Sequence, residues 1–158
     1  MLLEDLAYDV LEHAKRAQVK IATAESCTGG MVGASLTAIP NSSVCYLGGF
    51  VTYANSAKQK LLSVPEECLQ IHGAVSPETA HFMAEGCSQQ FEGALSIAIT
   101  GIAGPGGGSP EKPVGLVYIA TSHNNQTQVE KHIFTGSRQE VRHAAAMEAL
   151  KQVLTRLQ

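Results

Sequence analysis

Ser26 stands where an apolar, β-branched run, Val19 to Ala24, gives way to Glu25-Ser26-Cys27-Thr28-Gly29-Gly30. A strand that ends in small polar residues and passes through glycines into a helix exposes backbone N–H groups at the helix start. An anion or an oxyanion can bind there, and a hydroxyl at that point faces whatever is bound. The same pattern also serves as an ordinary Ser/Thr helix cap. The second candidate is Lys58, in Val51-Thr52-Tyr53-Ala54-Asn55-Ser56-Ala57-Lys58. No charged residue occurs from Ser26 to Ala57, so Glu25 and Lys58 bound a long uncharged stretch. A lysine against apolar walls has its ammonium form disfavoured and its pKa lowered. It can then serve as general base for a serine hydroxyl at neutral pH. A solvated surface lysine is the alternative, and Lys60 fits that description.

Two further groups carry possible chemistry. Thr100 closes a buried-looking run, and the glycine-rich loop Gly101 to Gly108 behind it exposes backbone amides with almost no side-chain bulk. Arg138 and Arg142, spaced i and i+4, share one face of the last helix and could hold a phosphate by charge-assisted bonds; a solvated helix face is the alternative.

Several signatures are absent. No Gly-Lys pair occurs, which excludes the phosphate-loop motif, and Ala24 occupies the first position of a would-be nucleophile elbow around Ser26. Gly104 to Ser109 lacks the third glycine of a dinucleotide fingerprint. The histidines show no ligand spacing, and Cys27, Cys45, Cys68 and Cys87 form no C-x-x-C, so neither a metal site nor a disulfide framework is expected. A net charge of −3 with scattered charges argues against a nucleic-acid partner. Pro40, Asn41, Gly48 and Gly49 interrupt the uncharged stretch, which excludes a transmembrane helix there. Glu4, Asp5 and Asp9 argue against a signal peptide, and the expected location is cytoplasmic.

These groups need elements to position them. Leu3, Leu6, Ala7, Val10, Leu11 and Ala14 recur at helical spacing and predict a helix over about 2–17. Val19 to Ala24 reads as a strand, residues 30–38 as a helix, 44–53 as a strand and the segment through Lys58 to Leu62 as a helix. His72 reads as a turn residue before Gly73. Ser76-Pro77-Glu78 is a helix start. Leu95 to Thr100 reads as a strand, and Val114 to Thr121 with Gln128 to Phe134 as an antiparallel hairpin. Ser137-Arg138-Gln139-Glu140 fits a capping box that opens a helix over 138–157. The alternation predicts a single α/β domain over residues 1–158, a three-layer α/β/α sandwich with a mixed, mostly parallel sheet. Ligands of such sheets sit at the carboxyl ends of strands, which selects the loops 25–30, 100–108 and, less firmly, 53–58.

In order along the chain, the segments Glu25 to Gly30, Pro40-Asn41-Ser42-Ser43, Gly48 to Tyr53 with Lys58, His72 to Ser76, Thr100 to Pro105 and Lys112-Pro113-Val114-Gly115 resemble the C-terminal domain family of the competence-damage protein CinA. The resemblance covers roughly residues 5–155. Stand-alone members of that family are nicotinamide-mononucleotide deamidases. The resemblance therefore implies hydrolysis of nicotinamide mononucleotide, a pyridine nucleotide, to nicotinate mononucleotide and ammonia, with no cofactor and no metal. It matches Ser26 to the nucleophile, Lys58 to the base and Tyr53 to an assisting proton donor. Backbone amides of Thr28, Gly29, Gly30 or Gly101 are expected at the oxyanion, and Ser42, Thr100 and Arg142 at the substrate. A homo-oligomer, such as a symmetric dimer, is the expected assembly. Three residues depart from the common family pattern: Ser137 within Gly136-Ser137-Arg138, Ser63 before Val64, and Tyr46.

Overall fold

The computed structural model describes residues 1–158. The chain runs α1 (Leu3–Ala17), β1 (Ile21–Glu25), α2 (Met31–Thr37), a short 3₁₀ turn (Ser42–Val44), β2 (Tyr46–Val51), α3 (Asn55–Leu62), α4 (Glu66–His72), α5 (Pro77–Gln90), β3 (Leu95–Gly101), β4 (Leu116–His123), β5 (Gln126–Ile133) and α6 (Arg138–Leu157). One sheet has the order β2-β1-β3-β4-β5. β1 is parallel to both β2 and β3, while β4 is antiparallel to β3 and β5. Only β4 runs against the rest, as the mixed, mostly parallel sheet required.

Side chains of a strand alternate between faces, and here the two faces differ in size. Ile21, Ile97, Ile99, Val117 and Ile119 turn toward α1, α2 and α6 and join Leu3, Leu6, Val10, Val141 and Leu150 in one core. Ala22, Ala24, Ala98 and Ala120 turn to the other side and meet Leu62, Met83, Ala84 and Cys87 of α3 and α5. Helices thus cover both faces, and the predicted sandwich is what forms. The alanine face brings the second helical layer close. At Gly86 of α5 a Cβ would overlap the carbonyl oxygen of Leu62, so α5 and α3 touch backbone to backbone.

The local signals hold at the helix starts. The Ser76 hydroxyl accepts the Thr79 N–H at 3.1 Å. Ser137 and Glu140 form the reciprocal capping box, each side chain accepting the other's backbone N–H at 3.2 Å. Elsewhere boundaries move. His72 is the last residue of α4 rather than a turn residue, and Gly73 follows it with φ +79°. β2 begins only at Tyr46 because residues 42–44 coil into the 3₁₀ turn. The hairpin turns at Asn124-Asn125, both at positive φ (53° and 61°), the pair a two-residue type I′ loop needs. That moves its strands to Leu116–His123 and Gln126–Ile133. No helix is long and apolar enough to cross a membrane.

Candidate active site

The carboxyl ends of β1, β2 and β3 meet at one place, and the residues after them line a cavity of about 160 Å³. Ser26 follows β1, and its N–H donates to the Ile99 carbonyl of β3 at 3.0 Å, so the turn starts in sheet register. Tyr53 follows β2, Thr100 and Gly101 end β3, and α3 delivers Lys58 from the side. Cys27, Ala74, Val75, Ala103 and Arg138 complete the wall. A larger hollow of about 340 Å³ lies at the opposite end, between α1 and residues 39–45. Its one thiol, Cys45, is raised in pKa by burial, so no activated group faces it.

Lys58 is 1% exposed. Its Nζ donates to Ser26 Oγ at 3.1 Å, to the Thr52 carbonyl at 2.8 Å and to the Tyr53 carbonyl at 3.0 Å. None of these partners carries charge. Burial therefore dominates and lowers the Lys58 pKa from 10.5 to about 8. The neutral amine has two N–H bonds and one lone pair. With the two carbonyls taking the N–H bonds, the lone pair is left for the Ser26 hydroxyl. Cys27, beside Ser26, is no rival nucleophile, because burial pushes its thiol up to about 11.

The turn after Ser26 is held by a residue that sequence reasoning passed over. Glu25 is 1% exposed. Its Oε1 accepts from Thr28 Oγ1 at 2.6 Å, from the Gly30 N–H at 3.2 Å and from the Val32 N–H at 3.0 Å; its Oε2 accepts from the Gly33 N–H at 2.9 Å. The start of α2, expected to hold an anion, is filled by the chain's own carboxylate. Gly29 N–H closes back on the Ser26 carbonyl at 3.1 Å. Of the amides in the turn, those of Cys27 and Thr28 donate to no protein acceptor, and Cys27 lines the cavity while Thr28, Gly29 and Gly30 do not. The sequence signal for Glu25 is an acidic side chain just ahead of a helix start.

The two arginines of α6 part company. Arg138 lines the cavity, and it donates from Nη1 to the Gly104 carbonyl at 2.7 Å and from Nη2 to the Tyr53 hydroxyl at 3.2 Å. It thereby links α6, the glycine-rich loop and the β2–α3 link at the cavity mouth. Arg142 turns away toward backbone: Nε donates to the Cys27 carbonyl at 3.0 Å, Nη2 to the Thr28 carbonyl at 3.3 Å, and Nη1 to Gln139 Oε1 at 3.0 Å. Thr100 lines the cavity, yet its hydroxyl proton goes to the Ala74 carbonyl at 2.7 Å and fixes the neighbouring wall. Ser42 lies at the amino end of β2, a strand's length (about 20 Å) from Ser26. The structure thus brings Ser26, Lys58, Tyr53, Thr100 and Gly101 together. Thr28 and Arg142 stand just behind the wall, and Ser42 stands apart.

A serine hydroxyl against a buried amine of lowered pKa, with an unpaired amide beside it, is an arrangement suited to acyl transfer through a covalent intermediate. The family model for the CinA C-terminal domain matches residues 3–157. A CinA-like protein of Gemmatimonas aurantiaca is 47% identical over 147 residues, which cover 93% of this chain and 34% of that protein. The chain spans about a third of the length of the curated relatives it matches. Among solved structures, the competence/damage inducible protein CihA of Agrobacterium tumefaciens superposes with a TM-score of 0.94 at 40% identity, covering 99% of this chain and 96% of that one. A competence-damaged protein (CinA) superfamily member from Klebsiella pneumoniae 700603 gives a TM-score of 0.96 at 32% identity, covering 99% and 98%.

Proposed function

The chain belongs to the family of CinA C-terminal domains, and from that premise we propose that it hydrolyses the carboxamide of nicotinamide mononucleotide to nicotinate mononucleotide and ammonia. The observation that supports this best is the buried Lys58 amine at hydrogen-bond distance from the Ser26 hydroxyl. Neutral Lys58 accepts the Ser26 proton as Oγ attacks the carboxamide carbon. The carbonyl oxygen becomes an oxyanion, met by the amide N–H of Cys27, which lines the cavity and has no protein partner. One such donor is worth about 10²–10³ in rate. The Lys58 ammonium then protonates the departing nitrogen, and ammonia leaves. A nicotinoyl ester remains on Ser26. Lys58, neutral again, takes a proton from water as that water attacks the ester, and nicotinate mononucleotide is released with the hydroxyl restored.

Tyr53 assists at the mouth, where its hydroxyl can pass a proton to the leaving group once Arg138 turns to the substrate. The phosphate is assigned to Arg138, which reaches the cavity, while Thr100 and Gly101 bound the pyridine side. Neither a metal nor an organic cofactor takes part in this scheme.

The test is ammonia release from nicotinamide mononucleotide, nicotinamide riboside and free nicotinamide by the wild type and by Ser26→Ala. The wild type should prefer the mononucleotide, and Ser26→Ala should remain folded while losing on the order of 10³-fold or more in kcat. Binding of the mononucleotide without ammonia release by the wild type would leave a carrier and no hydrolase. Ammonia release retained in Ser26→Ala would place the nucleophile elsewhere.

A further inference from the structure

We infer that Arg142 is a positioning residue that fastens and polarises the turn whose Cys27 N–H holds the oxyanion, and does not itself touch the substrate. The inference rests on the reading of Ser26 as nucleophile. Its basis is where the guanidinium goes. Nε and Nη2 donate to the carbonyls of Cys27 and Thr28, and Nη1 is taken by Gln139. Arg138, one turn earlier, lines the cavity, and Arg142 does not. Gly29 makes room for this approach. Its φ is +61°, and a Cβ there would stand 3.3 Å from Arg142 Nη2.

Each carbonyl belongs to a peptide whose N–H sits on the next residue. The Cys27 carbonyl shares its peptide with the Thr28 N–H, which has no protein acceptor but lies behind the cavity wall. A cation bonded to the carbonyl oxygen draws electron density through the conjugated unit and makes that N–H a stronger donor. The Thr28 carbonyl shares its peptide with the Gly29 N–H, which closes the turn on the Ser26 carbonyl at 3.1 Å. The Ser26 carbonyl in turn shares its peptide with the Cys27 N–H, which lines the cavity without a protein acceptor, so Arg142 strengthens that donor through the Gly29 bond and fastens the loop that carries it. Glu25 acts with opposite sign on the same turn, accepting the Thr28 hydroxyl and the amides beyond. A cation on its carbonyls and an anion on its later N–H groups leave the Cys27 amide, at the cavity wall, for a developing negative charge.

The benefit appears only when charge develops, so it belongs to kcat and not to ground-state binding. The experiment compares the wild type, Arg142→Gln and Arg142→Lys on nicotinamide mononucleotide and its riboside. A second reading is inhibition by pyridine-3-carboxaldehyde, whose adduct with a serine hydroxyl mimics the tetrahedral state. Arg142→Gln should lose about 10- to 100-fold in kcat on both substrates, with KM within about threefold and affinity for nicotinate mononucleotide unchanged. Its aldehyde affinity should fall in parallel with kcat. Arg142→Lys, which keeps the charge and at least one donor, should fall between, and it carries the test if the glutamine variant does not fold. A rise in KM confined to the phosphorylated substrate would overturn the inference and return Arg142 to the phosphate. Unchanged kcat in both variants would also overturn it. Failure of the wild type itself to release ammonia would overturn the hydrolase reading instead. Those two failures are read from different proteins.

Discussion

Raising the pH from 6 to 10 titrates Lys58, and the structure sets where the rate should bend. With its pKa lowered from 10.5 to about 8 by burial, the amine is neutral in about 9% of molecules at pH 7 and in half at pH 8. At the ordinary lysine value the neutral fraction at pH 7 would be about 0.03%. Loss of water around Nζ is therefore worth about 300-fold in available base at neutral pH. The slope follows from the same number. kcat/KM should climb about tenfold per pH unit up to about 7.5 and level off above about 8.5. Continuous detection of ammonia at saturating and limiting substrate provides the profile. A phosphate monoester titrates with its midpoint near pH 6, and the riboside, which lacks it, should give the same bend near 8. Lys58→Arg should be flat and nearly inactive, because guanidinium keeps its proton throughout. A wild-type profile already level at pH 6.5, or one that bends only near 10.5, would remove Lys58 as the base. So would an active Lys58→Arg enzyme.

The same titration should be visible in stability. The folded pKa lies below the unfolded one, so between about pH 8 and 10.5 the unfolded chain holds a proton the folded chain has lost, and stability rises through that window. Relative to Lys58→Met, the wild type should gain about 2–3 kcal/mol in urea unfolding from pH 7 to pH 10; a constant difference would mean the ammonium is not disfavoured by its surroundings. Glu25→Gln replaces one accepting oxygen by an NH₂ group among buried donors and should lower unfolding free energy by about 1–3 kcal/mol, and an unchanged urea midpoint would deny Glu25 its capping role. Arg138→Gln should raise KM for nicotinamide mononucleotide about 10- to 100-fold while leaving the riboside within about threefold; equal effects on both would show that Arg138 does not read the phosphate.

How far the site was legible depended on whether a residue's role followed from its neighbours in the chain. Lys58 stood out because it ends a run without charges, and such a run folds into places water does not reach. Ser26 stood out because strand, polar cluster and paired glycines already describe a turn at a sheet end. The serine caps of α5 and α6 follow from three-residue spacing and formed as expected. Glu25 was hidden because its carboxylate caps α2 from inside the preceding strand, reaching amides five to eight residues on. That reach depends on the path of the turn, which no local pattern specifies. Arg138 and Arg142 looked equivalent because they share a helix face. A rise of about 6 Å along the axis separates the cavity from the backbone of the turn after Ser26. α4 went unseen because seven residues are too few to show a period, and Ser42 falls at the wrong end of β2 for any argument made within one strand.

The contact at Gly86 reaches further than its distance from the cavity suggests. α3 carries Lys58 and ends at Leu62, whose carbonyl rests where a side chain on Gly86 would have to go. Any larger residue in that helix must push α3 outward, and Nζ travels with it. Hydrogen-bond contact at 3.1 Å tolerates little of that travel, since a misplacement of about 1 Å can cost about 100-fold in rate. A buried glycine between two helices thus acts as a gauge block for Lys58 Nζ, and on the proposed mechanism a side chain there would surface as failed chemistry.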